Sequence, residues 1–475
     1  MSYLRGADRS EVQLLPPCLD EYVPADSACR FIDAYVEGLD FQALGFVRAH
    51  PAATGRPGYH PADLLKLYLY GYLNRVRSSR RLEAEAGRNL EVLWLLRGWR
   101  PDFKTIADFR KDNRAAFKPL FKQFNLLCRK LSLFGAELVA IDGSKFKADS
   151  SGYRRYTPEQ LRELITKIEN RIDDYLSRCD DSDDAGGGGA GGDDLQDKLQ
   201  WLRQNQGHYQ ELLDELEQSG QKEISHPDAD ARLMMGPHGY VLGYNVQVAV
   251  DAKHDLIAAQ DVVQSASDTG QLAVMAVEAR ETTGAVALKA VADKGFYHGA
   301  QLEACEHAGI EPVVPKPTTA VQRDAQGRPV FGPERFLYDP CLAAYLCPAG
   351  QSLSCVGHYE SAGHRMAYYQ NRKACRSCPV RSQCTPGSYR TIARSAHQET
   401  LERTAQRVKQ NPQLLEKRKG IVEHVFGFMR LSGHDRFLLR GLEKVRAEFS
   451  LSALTYNLRR VINLLGVKVL LAALG

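Results

Sequence analysis

A chain of 475 residues, 44% hydrophobic and 25% charged, has the balance of a globular protein of two to four domains. The apolar C-terminal stretch, residues 461–474, is shorter than the roughly 20 residues that span a bilayer and holds Lys468, so it reads as one packed terminal helix rather than a membrane anchor. The N-terminus MSYLRGADRS lacks the apolar segment of a secretion signal, and eleven cysteines in so long a chain do not make a secreted disulfide framework, so a reducing cytoplasm is expected.

The net charge of +4 is unevenly spread. Residues 51–135 hold 17 Lys/Arg against 7 Asp/Glu, residues 385–475 hold 16 against 7, and the first fifty hold 4 against 8. Two basic blocks around a near-neutral middle suit a polyanion bound at both ends, although solvated helix faces give the same count.

Residues 1–135 read as helical. Leu64, Leu65, Leu67, Tyr68, Leu69 and Tyr72 make an apolar helix over 61–76 that runs into Arg75, Arg77, Arg80 and Arg81. A second helix is expected over 79–96, and a third after Pro101, with Lys104, Arg110 and Lys111. Short helices with basic connections fit a helix-turn-helix-like DNA-binding module as well as a plain bundle. Residues 137–142, ELVAID, form a short apolar run ending in an acid, the pattern of a buried strand that presents a carboxylate. Thr157-Pro158-Glu159-Gln160 is a helix start with a capping box. It opens a helical hairpin over about 157–220, with a flexible acidic, glycine-rich tip at 180–194. Strand texture returns at 240–250 and 256–263 as a hairpin, a helix is expected over 269–282, and residues 287–292, ALKAVA, again end in an acid, Asp293. From about 398 the chain reads as helix, with breaks near Asn411-Pro412 and Ser432-Gly433.

A strand ending in Asp142, two strands and a helix, a strand ending in Asp293, and a later helix bearing Glu423 follow the order of an RNase H-like fold. Phosphodiester chemistry explains the acids: it uses two hard cations about 3.5–4 Å apart, held by oxygen ligands. One acid at a strand end more often caps a turn, so the repetition and order carry the reading.

The residues themselves add a resemblance. LKLYLYGYLNRVRSSRRLEAEAGRNLEVLWLLRGWRPDFKTIADFRKDN (65–113), VAIDGSKFKADSS (139–151), GYNVQVAVDAKHDLI (243–257), VADKGFYHG (291–299) and KGIVEHVFGFMR (419–430) resemble successive motifs of bacterial insertion-sequence DDE transposases, in the branch with a cysteine-rich insertion. The resemblance implies Asp142, Asp293 and Glu423 as catalytic ligands of two Mg²⁺ or Mn²⁺ ions. It also implies cleavage at the terminal inverted repeats of an element, strand transfer into double-stranded target DNA, and a homodimer in the synaptic complex on the nucleoid. The family's Tyr and Arg positions on the last helix hold Glu416 and Lys419, and its Lys position holds Arg430. Lys419 and Arg430 remain candidates for phosphate contact, as does Lys145 beside Asp142.

Cys347, Cys375, Cys378 and Cys384 have the spacing C-x27-C-x2-C-x5-C, which suits a structural Zn²⁺ with four thiolates. A redox pair at Cys375/Cys378, unligated thiols, or Cys341 or Cys355 in place of Cys347 are the rivals. The expected architecture is α/β: an all-α DNA-binding domain (1–135), an RNase H-like catalytic domain in two parts (136–334 and 389–475) with a helical insertion, and a zinc-ribbon-like insertion (335–388). A DNA-binding descendant that has lost catalysis is the alternative function, and a hydrolytic RNase H-like nuclease a third.

Overall fold

The computed structural model describes residues 18–50, 58–150, 155–184, 192–236, 239–318, 323, 326–361 and 364–474. Of the expected acidic tip at 180–194, residues 185–191 lie outside them, while 180–184 and 192–194 belong to helices. The protein is mixed α/β and divides into two compact units. The first comprises Met1–Gly135, Gly143–Ala266 and Glu423–Gly475, the second Ala136–Asp142 and Ser267–Val422. Among the described residues no helix is long and apolar enough to cross a membrane.

The first unit opens with helices α1 (Ala28–Glu37), α2 (Pro61–Leu73), α3 (Ser79–Arg88), α4 (Leu90–Leu95), α5 (Phe103–Asp112) and α6 (Phe117–Lys130). Proline at the first position and the His60 ring, which accepts the Ala62 N–H, start α2. The single helix expected over 79–96 is broken at Asn89. Its side-chain oxygen accepts the N–H groups of Glu91 and Val92, and so caps a new helix instead of continuing the old one. Asp102 caps α5 in the same way through Lys104 and Thr105, both at 2.9 Å.

Strand β1 (Leu138–Lys147) is longer than the expected run, and the boundary between the units falls inside it, after Asp142. Next come β2 (Arg155–Tyr156), the long helices α7 (Pro158–Asp184) and α8 (Gly192–Ser219), β3 (Ile224–Ser225), β4 (Arg232–Gly236), β5 (Gly239–Asp251) and β6 (Ile257–Val263). The capping box forms: the Thr157 N–H donates to Gln160 Oε1 at 3.0 Å and the Gln160 N–H to Thr157 Oγ1 at 3.4 Å. Leu161, Ile165, Ile168 and Ile172 of α7 bury against Leu202, Leu212, Leu213 and Leu216 of α8, which makes the expected helical hairpin. In this unit β5 pairs antiparallel with β4 and β6. A Cβ on Gly243 would lie 1.9 Å from the carbonyl oxygen of Phe146, so only glycine lets β5 approach β1 there.

The second unit continues with α9 (Leu272–Thr283), β7 (Leu288–Ala292), α10 (Gly299–His307) and β8 (Ile310–Val313). The N-terminal half of β1 pairs parallel with β7, and β7 parallel with β8, so each strand shows the near-continuous apolar run of a buried parallel sheet. The cysteine segment then folds as a five-stranded antiparallel sheet from β9 (Leu337–Asp339), β10 (Ala344–Leu346), β11 (Ser352–Ser361), β12 (His364–Gln370), the short helices α11 (Arg372–Arg376) and α12 (Arg381–Cys384), and β13 (Thr391–Ser395). The strand order is β13-β12-β11-β10-β9, with Phe336, Tyr345, Leu353, Tyr369, Cys384 and Ile392 at its core. Helix α13 (Gln398–Gln410) ends at Gln410 and, after Asn411, Pro412 begins α14 (Pro412–Leu431), as expected from the Asn-Pro step. The unit boundary crosses α14 after Val422.

The chain returns to the first unit with α15 (Leu442–Leu465) and α16 (Val467–Leu474). The expected single terminal helix is broken by Gly466, whose φ of 75° lies in the left-handed region that ends helices. Most of α15 is buried, and it packs on α2, α6 and β6. Its Asn457 donates to Asn125 Oδ1 on α6 at 2.9 Å and accepts the Ile257 N–H of β6 at 2.9 Å, so a satisfied polar network pins three elements in the core. Phe146 sits within 5.8–6.2 Å (ring centres) of Phe426, Phe437 and Phe449 in the same core.

Candidate active site

Asp142 and Asp293 come together through strand register. Ile141 is the Cα partner of Ala292 in the parallel β1–β7 ladder, so each aspartate is the residue that follows the last paired position. Parallel strands share a direction, and both carboxylates therefore leave the same end of the pair. Both side chains are partly exposed. Asp293 turns the chain out of β7: its Oδ1 accepts the Gly295 N–H at 2.7 Å, which fixes the carboxylate's orientation. A Cβ on Gly295 would stand 2.9 Å from that oxygen, so glycine is needed to keep the aspartate in place.

The structure adds two residues that sequence reasoning missed. The Arg418 Nη1 donates to Asp142 Oδ2 at 2.9 Å, with side chains only 12% and 23% exposed. Arg418 is one of four consecutive charged residues, Glu416 to Lys419, and no sequence pattern says which of them faces the strand. Asp268, before α9, sets its Oδ2 3.8 Å from the position a Gly295 Cβ would take, on the same glycine that Asp293 grips.

Glu423 is exposed on α14, at the start of the part of that helix that belongs to the first unit. Lys419 is exposed on the same helix, and Arg430 donates to Ser144 Oγ at 3.2 Å. Lys145 is partly buried. His424, which follows the glutamate, meets the Tyr456 hydroxyl at 2.9 Å. The carboxylates of Asp228 and Asp230 hold turns: Asp228 accepts the Tyr244 hydroxyl at 2.7 Å and the Gly441 N–H at 3.1 Å, and Asp230 accepts the Leu442 N–H at 2.8 Å.

The expected DNA-contacting cations divide. Arg75, Arg80, Arg81, Lys104 and Lys111 are exposed, with Arg80 laid over the Phe103 ring at 5.2 Å. Arg77 and Arg110 correct the expectation, because they point inward. Arg77 donates to the Gly433 and Arg436 carbonyls and to Glu448 Oε1 at 3.2 Å. Arg110 is buried with its guanidinium over Tyr68; burial works against its charge, but Tyr72, Tyr68 and Glu448 together hold its pKa above the usual value.

Cys347, Cys375, Cys378 and Cys384 line one cavity of about 30 Å³ in the second unit, whereas Cys341 and Cys355 are exposed away from it. All four are free thiols, and the Gln351 N–H donates to Cys347 Sγ at 3.3 Å. Burial pushes the Cys384 thiol up, Arg390 pulls it down, and Cys375, Cys347 and Cys378 add to the rise. Among the described residues no three His, Cys, Asp or Glu side chains are grouped tightly enough to hold a metal ion as they stand. The donor chemistry suits metals all the same: oxygens of Asp142 and Asp293 for a hard cation, four sulfurs on one cavity for Zn²⁺.

Two family models match the chain. Residues 17–112 match a Transposase domain (DUF772), and residues 346–462 match a Transposase DDE domain. The second match takes in Cys347, Cys375, Cys378, Cys384 and Glu423, while Asp142 and Asp293 lie outside both. No curated protein matches the chain. A helical transposase domain near one end and a DDE domain near the other mark the chain as an insertion-sequence DDE transposase.

Proposed function

We propose that the protein cuts DNA at the terminal inverted repeats of an insertion sequence and joins the freed 3′ ends to target DNA. Asp142, Asp293 and Glu423, in an RNase H-like domain, are the carboxylate ligands of two Mg²⁺ or Mn²⁺ ions. The observation that carries this reading is the β1–β7 register, which brings out two aspartates side by side from parallel strands. Glu423 comes from the motif KGIVEHVFGFMR, within the stretch that matches the DDE family. When bound, the ions lower the pKa of the attacking water or 3′-hydroxyl and stabilise the leaving oxygen. The Gly295 N–H holds Asp293 in one orientation, so the carboxylate needs no reordering to serve as ligand. Lys419 and Arg430 contact the DNA backbone beside the acids. Arg75, Arg80, Arg81, Lys104 and Lys111 bind phosphates along the element end. Two copies of the chain, one for each end, form the working complex in the cytoplasm.

The test is to map breaks on labelled DNA that carries the element's own ends. The expected result is Mg²⁺-dependent nicks at the element boundary with 3′-hydroxyl ends, abolished by EDTA. Specific binding without cleavage under Mg²⁺ or Mn²⁺ is the result expected of a DNA-binding descendant.

The exposed and inward-facing cations separate by DNA binding and thermal melting. Arg81→Ala and Lys111→Ala each weaken DNA binding across sequences and lower the slope of log K against log salt by about 1. Arg110→Ala lowers the melting temperature instead. Equal losses of salt slope in all three would contradict the division.

Cys347, Cys375, Cys378 and Cys384 bind a structural Zn²⁺ as thiolates and close a zinc-ribbon-like insertion whose sheet has a small core. Native mass spectrometry should find one zinc per chain, lost in Cys375→Ser and Cys378→Ser, with earlier proteolysis between residues 335 and 395. Purified protein that is metal-free and freely alkylated at all four cysteines rules the zinc out.

A further inference from the structure

We propose that Arg418 is the resident cation of Asp142: it pairs with the carboxylate until a divalent ion takes it, and then serves the DNA phosphate. The inference rests on the reading of Asp142 as a metal ligand. The Arg418 Nη1–Asp142 Oδ2 pair is 2.9 Å long and largely shielded from water. A guanidinium stays charged at any working pH, so it leaves the carboxylate by exchange with another cation, not by losing a proton. Mg²⁺ asks for the same oxygen lone pairs at short range. The two cations therefore compete for Asp142, and the weaker the pair, the more readily the ion binds. Once displaced, the guanidinium remains beside the acid, where its planar fork matches two phosphate oxygens. Lys417 and Lys419, both exposed, flank it in sequence. An unpaired Asp142 would repel DNA in a site without metal; Arg418 removes that charge and returns as a DNA contact.

Two readouts on the full-length protein test this. The first is Mn²⁺ binding without DNA, followed by electron paramagnetic resonance, for wild type, Arg418→Ala, Arg418→Lys and Asp142→Asn. Arg418→Ala should bind Mn²⁺ about 3- to 10-fold more tightly than wild type, with Arg418→Lys between them. The second is cleavage of end DNA at saturating Mg²⁺, where Arg418→Ala should be slower by at least about tenfold. Arg418→Lys, which keeps the charge, should recover part of that rate. A merely structural arginine would leave Mn²⁺ affinity unchanged or weakened on removal, and either result overturns the proposal. Unchanged cleavage at saturating Mg²⁺ overturns the phosphate role. If Asp142→Asn binds Mn²⁺ as wild type does, the metal-ligand reading itself has failed. If only the Arg418 variants are unchanged, this inference alone has failed.

Discussion

Asp293→Asn should lower strand cleavage by on the order of 10³-fold or more, because a metal ligand supports several kcal/mol of transition-state stabilisation. Asp142→Asn should match it, since both residues leave the same end of the β1–β7 pair. Binding to end DNA should stay within about threefold or tighten, because phosphate contacts come from cations elsewhere and a repelling carboxylate has gone. The two substitutions should not multiply: residues that act as one unit give losses far from additive. Asp228→Asn is the control. Asp228 is buried and accepts from Tyr244 and Gly441, so its substitution should lower the melting temperature while folded protein still cuts. Quantitative nicking assays beside filter binding check all three, and full cleavage by Asp293→Asn would remove that residue from the site.

Glu448→Ala should be among the most destabilising single changes in the chain, at about 3–5 kcal/mol. Glu448 is fully buried on α15, and burial raises its carboxyl pKa against the pull of Arg110 and Arg77. Its oxygens accept the Leu438 and Leu439 N–H groups at 3.0 Å and the Arg77 guanidinium at 3.2 Å. Removing it leaves Arg77 and Arg110 charged in the interior and two backbone donors unpaired, and each of these costs free energy. Glu448→Gln keeps the shape and one acceptor, so it should cost less than alanine. Urea denaturation of the three proteins measures the order; a loss below about 1 kcal/mol for alanine would mean that water or relaxation replaces the pair.

Local chemistry made part of this fold legible in the sequence. The Thr157–Gln160 capping box and the Asn411-Pro412 break are signals within a few residues, and each appears as read. The two aspartates were legible for a related reason: a buried parallel strand is a short apolar run, and the acid that ends the run is easy to see. What failed to show depended on distant partners. Asn89 reads as an ordinary residue of one long helix until its side chain is seen to cap α4. Arg77 and Arg110 look like surface cations because the buried glutamate that takes their charge lies more than three hundred residues away. The five-stranded sheet around the cysteines escaped because β11 is mostly exposed and lacks a clean alternation of apolar and polar residues. Arg418 escaped because the register of α14 against β1 is a tertiary fact.

Strand transfer is the most direct measure of the central claim. Pre-cut element ends bearing 3′-hydroxyls, supercoiled plasmid and Mg²⁺ are mixed with the full-length protein, and joined products are sequenced across the junctions. The account predicts paired ends inserted into the plasmid with a short duplication of fixed length, absent with EDTA and with Asp142→Asn. Plasmid that is nicked or cut without joining would contradict it, and would make the protein a hydrolytic nuclease.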